Sequence, residues 1–262
     1  MSNASKFLKG AAQRRDMILE MVNRDGYVSV TRLAELCGVT PVTIRVDLTS
    51  MEKDGLLYRV HGSAMSRNPV APERSTKDKR IINAEVKSRI GKAAANLVSE
   101  NDNVFISAGS TMLAFCEELR FKAGFTVFTP SIQVAALLST NPEISVHMLG
   151  GEVRYKSQSV RGEYSKGVLD SINTAMLFFG ADGIDEQYGI TCSTVEEALF
   201  MHEAFETAMK VVLLCDSSKF GKHGVGRICK LDRIDILVTD SGIPESYKEL
   251  FASSGVEVII VD

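Results

Sequence analysis

Long apolar runs are missing from this chain. No stretch of its 262 residues approaches the roughly 20 apolar residues that a membrane span requires. The first residues, MSNASKFLKGAAQRR, lack the apolar core of a signal peptide. Both absences lead to the expectation of a cytoplasmic protein with no membrane partner. Paired cysteines are missing as well. Cys37, Cys116, Cys192, Cys215 and Cys229 are odd in number, widely scattered and without a Cys-x-x-Cys pair. That sets aside a disulfide framework and a zinc site in favour of reduced thiols. His202 and Glu203 have no second ligand at metal spacing, so no metal is expected, and no cofactor either. Internal repeats and low-complexity tracts are also lacking. Overall positive charge is lacking too: 30 Lys and Arg against 33 Asp and Glu give −3, which alone argues against nucleic acid.

The charge is unevenly spread. Residues 1–74 carry 11 Lys and Arg against 8 Asp and Glu, a balance of +3, while residues 75–262 carry 19 against 25, a balance of −6. A basic head on an acidic body suits a nucleic-acid-binding module joined to something else, while a +3 balance over 74 residues is equally compatible with chance. Pro69 and Pro72, in a stretch without apolar periodicity, mark the join. The expected organisation is a head over 1–65, with a helix-turn-helix at about 30–49, a linker over 66–80, and a body over 81–262. In the body, short apolar runs such as NVFIS, FTVFT, MLFFG, KVVLLCD and VEVIIVD alternate with amphipathic helical stretches. That alternation predicts an α/β fold with a largely parallel sheet buried on both faces. In such sheets the loops at the carboxyl ends of strands usually bind the ligand.

In the head, GVTPVTIRVDLTSMEKDG (38–55) reads as a helix with a marked start and stop. Thr40 is a good N-cap and Pro41 suits the first helical position. Ile44, Leu48 and Met51 at i, i+4 and i+7 form the inward stripe. Val42, Thr43, Arg45, Val46, Thr49 and Ser50 lie outside it, and Asp54-Gly55 ends the helix. The preceding helical stretch, VSVTRLAELC, stops at Gly38, so two short helices meet at a tight turn, the arrangement whose second helix enters the major groove. Arg45 can give two hydrogen bonds to a guanine edge or pair with phosphate. Thr40 and Thr43 can help the helix start hold a phosphate. LLYRVHGSAM alternates like a small wing, from which Arg59 and His61 could reach the DNA backbone or minor groove. A plain helical hairpin with a solvated Arg/Thr face is the alternative that spacing alone leaves open.

Residues 14–65, through RRDMIL, VSVTRLAELCGVTPVTIRVDL and GLLYRVHGSA, resemble the DNA-binding domain of DeoR-family bacterial regulators, and the resemblance runs on to Asp262. It departs at Val46, where the family usually has a second basic or polar residue, and at Gly62-Ser63, where the wing usually ends in Gly-Gly. Val46 could instead touch a thymine methyl.

Four loops in the body each follow an apolar run. SAGSTM (107–112) opens a helix with Gly109, Ser110 and Thr111, a phosphate cradle in principle, although a Gly-Ser helix cap is the commoner reason for such a motif. LGGEVRYKSQSVRG (149–162) combines Gly150-Gly151 with Arg154, Lys156 and Arg161 and with hydroxyl and amide partners for a polyol; a long solvated loop would read the same way. FGADGIDEQYGIT (179–191) offers Asp182 for sugar hydroxyls, with Glu197 at the start of the next helix. CDSSKFGK (215–222) presents Lys219, to neutralise a phosphate or simply to be solvated. Together the loops resemble the effector domain of the same family, similar in fold to ribose-5-phosphate isomerase and glucosamine-6-phosphate deaminase. The resemblance implies an effector site for a phosphorylated sugar made by Ser107, Gly109, Ser110, Thr111, Gly150, Gly151, Asp182, Gly183, Glu197 and Lys219. Ser107 stands where the family commonly has Asp, and Pro130 where it has Asn. The deaminases carry Asp-Gly-His where this chain has Asp182-Gly183-Ile184, and isoleucine cannot transfer a proton.

The reading is a transcriptional regulator binding operator DNA as a homo-oligomer (dimer or tetramer); the resemblance implies that it is a repressor of a carbohydrate-utilisation operon under control of a phosphorylated sugar. The rivals are a sugar-phosphate isomerase or deaminase with an accessory head, and a ligand-binding protein whose head docks another protein.

Overall fold

Three apolar cores organise the chain, one in the head and two in the body. The computed structural model describes residues 10–25, 27–60, 62–66 and 74–262. The head consists of α1 (Ala11–Asp25), β1 (Tyr27–Ser29), α2 (Val30–Cys37), α3 (Pro41–Lys53), β2 (Leu57–Val60) and β3 (Ser63–Ser66). Ser29 caps α2 by accepting the Arg32 N–H at 3.2 Å. Gly38 then turns the chain with φ of 65°, a left-handed conformation that costs glycine little. Thr40 caps α3 by accepting the Thr43 N–H at 3.3 Å, and Pro41 takes the first turn. Ile44, Leu48 and Met51 are fully buried against Ile18, Val22 and Leu33. Each such side chain contributes about 1.5–3 kcal/mol through burial. β2 and β3 form the antiparallel wing, and β1 pairs with the outer side of β3. His61, one of the two expected wing contacts, lies outside the described residues.

The body begins earlier than the sequence suggests. Residues 76–80, expected to belong to a linker, lie in the helix α4 (Thr76–Ile81), capped by Ser75 and hydrogen-bonded to body loops. Then follow α5 (Ala84–Ala95), β4 (Asn103–Ile106), α6 (Ser110–Leu119), β5 (Phe125–Thr129), α7 (Ile132–Leu138) and β6 (Ile144–Met148). A hairpin of β7 (Glu152–Arg154) and β8 (Ser159–Arg161) leads to α8 (Glu163–Leu169) and β9 (Thr174–Phe179). Next come β10 (Gly183–Asp185), β11 (Gly189–Cys192), α9 (Val195–Phe205), β12 (Ala208–Leu214), β13 (Gly226–Cys229), β14 (Ile236–Asp240), α10 (Glu245–Ser253) and β15 (Glu257–Val261).

Seven strands make one parallel sheet in the order β15-β14-β12-β9-β4-β5-β6. Neighbouring residues point to opposite faces, which explains the continuous apolar runs. Phe105, Leu177 and Leu213 enter one core, while Val104, Ile106, Phe178 and Val212 enter the other. The chain moves outward from β4 through β5 to β6, then returns to place β9 on the other side of β4. The strand order therefore reverses between β4 and β9, and the crevice beyond their carboxyl ends is where open α/β sheets bind ligands. Two expected loops contain further structure. Residues 149–162 fold back as the β7–β8 hairpin, and residues 179–191 supply β10 and β11 to an antiparallel sheet with β13.

Candidate functional site

The exposed face of α3 is the candidate nucleic-acid surface. Arg45 is exposed, flanked by Val42 and Val46 at 64% and 62% exposure. Pro41 is exposed in the first turn, where the hydroxyls of Thr40 and Thr43 lie 3.0 Å apart. Arg59 is tied back to the helix: its guanidinium donates to the Thr49 hydroxyl at 2.6 Å and its N–H to the Glu52 carboxylate at 2.9 Å. The wing is thus fastened to α3. What holds α3 in place was missed in the sequence. Asp47, 2% exposed, accepts from Arg14 at 2.6 Å and Arg15 at 3.2 Å, both on α1. The hydrogen bond and charge of Asp47 push the Arg14 pKa up, against the cost of burial.

All four body loops singled out in the sequence follow strands of the parallel sheet: β4, β6, β9 and β12. At the reversal point, the Ser107 N–H donates to the Phe178 carbonyl at 2.9 Å, which sets the β4 loop beside the β9 loop. Gly109 opens α6 at φ of 144°, and no side chain caps that helix start. Ser110 and Thr111, 7% and 8% exposed, are its first residues. On the β9 loop, a side chain at Gly183 would meet the Lys222 carbonyl oxygen at 2.4 Å, so only glycine lets this loop lie against residues 222–223. Ile184 next to it is fully buried.

Asp182 is the most densely partnered of the predicted effector-site residues. It is 8% exposed. One oxygen accepts from the Lys79 ammonium at 2.5 Å; the other accepts the Ser193 N–H at 3.0 Å and the Ser193 hydroxyl. Burial opposes its ionisation, but the charges of Lys79 and Lys219 and these hydrogen bonds prevail and hold the carboxyl below its ordinary range. Asp216, 1% exposed, accepts from Asn83 at 2.9 Å and from the Ser218 N–H at 3.1 Å. Its pKa is lowered too: burial acts against this, and Lys219, Ser218, Lys87 and Asn83 outweigh it. Lys219 sits in the short helical turn Ser217–Lys219 near both carboxylates; its N–H donates to the Asp216 carbonyl at 3.1 Å, and its ammonium makes no direct hydrogen bond or ion pair among the described residues. Lys87 is 3% exposed and donates at 2.6 Å to each of the Lys79 and Ile82 carbonyls. Its burial pushes its pKa down to about 8, which the nearby Asp216 resists.

The remaining predicted residues lie on the neighbouring loops and at the start of α9. Thr194 caps α9 by accepting the Glu197 N–H at 3.3 Å, and Arg154 on β7 donates to the same hydroxyl at 3.0 Å. Gly150 and Gly151 lead into β7, with the Gly150 carbonyl held by the Ser165 hydroxyl at 2.6 Å. Sequence reading missed Lys79, Asn83, Lys87, Asp216 and Ser193. One signal was available: Lys87 falls on the apolar stripe of α5, with Ile90, Gly91 and Ala94, where a lysine needs partners. Elsewhere, His147 stacks on Phe128 at 4.9 Å and His223 lies 4.4 Å from the Tyr188 ring. No group of three or more His, Cys, Asp or Glu that could hold a metal occurs among the described residues.

Two family models match the chain: the DeoR-like helix-turn-helix domain over residues 14–70 and the DeoR C terminal sensor domain over residues 82–241. A lactose phosphotransferase system repressor of Streptococcus mutans is 34% identical over 241 residues, covering 91% of this chain and 95% of its own. A protein of Escherichia coli O157:H7 named for transcriptional repression of the aga operon is 32% identical over 262 residues, covering 99% and 97%. Ribose 5-phosphate isomerase A from Neisseria gonorrhoeae is a solved structure with some likeness, 21% identical over 52% of this chain and 53% of its own, at a TM-score of 0.39.

Proposed function

The chain belongs to the DeoR family of transcriptional regulators, and we propose that it represses a carbohydrate-utilisation operon in response to a phosphorylated sugar. It is a DNA-binding regulator rather than an enzyme. In the proposed reading, α3 enters the major groove with Arg45 as the principal base reader, Val42 and Val46 beside it for thymine methyls, and the Thr40–Thr43 turn against phosphate. Pro41 fixes the start of that helix, and Arg59 steadies the wing against it. His61 is kept as a proposed wing contact from the sequence alone.

The observation that supports a sugar phosphate most is the reversal point of the sheet. There an uncapped helix start carrying Gly109, Ser110 and Thr111 stands beside a nearly buried, ionised Asp182. The first suits a phosphate, the second suits sugar hydroxyls. Ser107 and Gly183 shape the two adjoining loops, Lys219 supplies charge, and Glu197 with the Gly150-Gly151 turn closes the rim. The named relatives, one a repressor of a lactose phosphotransferase system, make a sugar operon the natural target.

We further assign a homo-oligomer, dimer or tetramer, reading a two-fold or repeated operator, since each head offers one recognition helix. None of the helices is long and apolar enough to cross a membrane among the described residues, and a cytoplasmic site of action follows from the DNA-binding role. The test is direct. The full chain is incubated with sheared genomic DNA of its source organism, and bound fragments are sequenced. Enrichment of a symmetric or repeated sequence beside sugar-utilisation genes is expected. Recovery of no preferred sequence would defeat the reading.

A further inference from the structure

Residues 75–83 are the first described part of the body after the head, and their polar groups engage the candidate effector loops. The Thr76 N–H donates to the Lys156 carbonyl at 2.8 Å and the Thr76 hydroxyl to the Ser157 carbonyl at 3.2 Å. Lys79 pairs with Asp182 at 2.5 Å, and Asn83, at φ of 53°, donates to Asp216 at 2.9 Å. Lys87 then fixes the end of α4 through the Lys79 and Ile82 carbonyls. α4 spans only Thr76–Ile81, and Ile81 is 79% exposed. A helix this short does not hold itself together in water. Its exposed Arg80–Glu117 pair, at 3.6 Å, adds little. Apart from its packing against α6, its position therefore depends on groups that a ligand in the site would also use.

We propose that α4 is the link by which effector binding reaches the head, and that the Lys79–Asp182 pair is its latch. This rests on the reading of the body as a sensor of phosphorylated sugars. Asp182 is nearly buried and its oxygens are held by Lys79 and Ser193, and Lys79, on a flexible and partly exposed stem, is the partner that a sugar hydroxyl would most readily replace. Displacement that left either charge buried and unpaired would be costly. A phosphorylated sugar solves this by exchange of partners: its hydroxyls donate to Asp182 and its phosphate receives the Lys79 ammonium. An unphosphorylated sugar offers only half of the exchange. The latched arrangement is the one that binds operator, and the effector favours the unlatched one.

The test uses the full chain without any ligand. Wild type, Lys79→Met, Asp182→Asn, the double variant and Lys77→Met are compared on a labelled fragment that wild type recovers from genomic DNA. Lys77 is an exposed neighbour on the same helix. Opening the latch mimics effector, so Lys79→Met and Asp182→Asn each weaken operator binding about tenfold or more, the range of a typical coupling between sites. The double variant is no weaker than either single one, and Lys77→Met stays near wild type. Hydrogen exchange of the same proteins shows faster exchange of amides 79–83 in Lys79→Met while the sheet strands are unchanged. Operator binding by Lys79→Met within twofold of wild type, or unaltered exchange in α4, overturns the latch. Failure of wild type itself to select any DNA would instead overturn the regulator reading beneath it.

Discussion

Asp47 in the head and Asp182 in the body carry the same charge at similar depth, 2% and 8% exposed, yet they are partnered differently. Asp47 is held by two arginines of one helix, Arg14 and Arg15, with Arg14 only 12% exposed at its side chain. Guanidinium groups match a carboxylate rigidly and stay charged, so this cluster is a brace that fixes α3 on α1. Asp182 is held by a lysine on a flexible stem, 24% exposed, and by a serine. Lys219 stands near it without a direct bond among the described residues. One buried acid fixes a reading surface; the other has a partner that can be exchanged.

The comparison breaks most visibly if the brace is removed. Asp47→Ala leaves Arg14 buried without its acid and destabilises the head by roughly 3–5 kcal/mol. Hydrogen exchange at Ile18, Leu33 and Leu48 rises while the body strands keep their protection. Equal protection in both regions would show that Asp47 is no brace. Arg45→Ala is the opposite kind of change, since the side chain is exposed and the fold is untouched. Losing a bidentate base contact costs about 1–3 kcal/mol, so operator affinity falls about 5- to 150-fold at fixed salt. Unchanged affinity in an anisotropy titration would remove α3 from the groove.

Two smaller effects sharpen the contrast. The folded pKa of Asp182 lies below its unfolded value. Its stabilisation is therefore complete above the unfolded range, near about pH 4, and is lost as the pH falls through the lower folded value. Melting of the body recorded from pH 6 to 3 should drop on the acid side, and Asp182→Asn should flatten part of that drop. An identical acid slope in the variant would mean that the pair gives no stability. Smallest of all, Val46→Ala removes an apolar contact. It should weaken binding a few-fold and only to sites with thymine at one position, as a base-by-base operator scan would reveal. Uniform weakening over all positions would assign Val46 a role other than readout.

Much of this was legible in the sequence because its signals are local. Thr40-Pro41, Gly38 and the Ile44/Leu48/Met51 stripe give α2 and α3 within a few residues of their ends. Apolar runs such as NVFIS and KVVLLCD give a buried sheet because both of its faces are covered. The four loops were legible as glycine and hydroxyl clusters after strands. Less legible was whatever depends on a distant partner. Asp47 falls at i+3 from Ile44 on the inward stripe of α3, but its partner Arg14 is 33 positions away and no local pattern names it. Lys79 reads as one more charge in the polar stretch TKDKR until the fold brings it to Asp182, 103 positions away. The 149–162 hairpin was hidden by strands of three residues, too short to show an alternation.

The central claim is that a ligand in the body controls DNA binding by the head. The most direct measurement is the operator affinity of the full wild-type chain, by fluorescence anisotropy at fixed salt, across a panel of sugar phosphates and their unphosphorylated sugars. One sugar phosphate should change the affinity about tenfold or more while its unphosphorylated counterpart does not. Operator binding that no member of the panel moves would contradict the account.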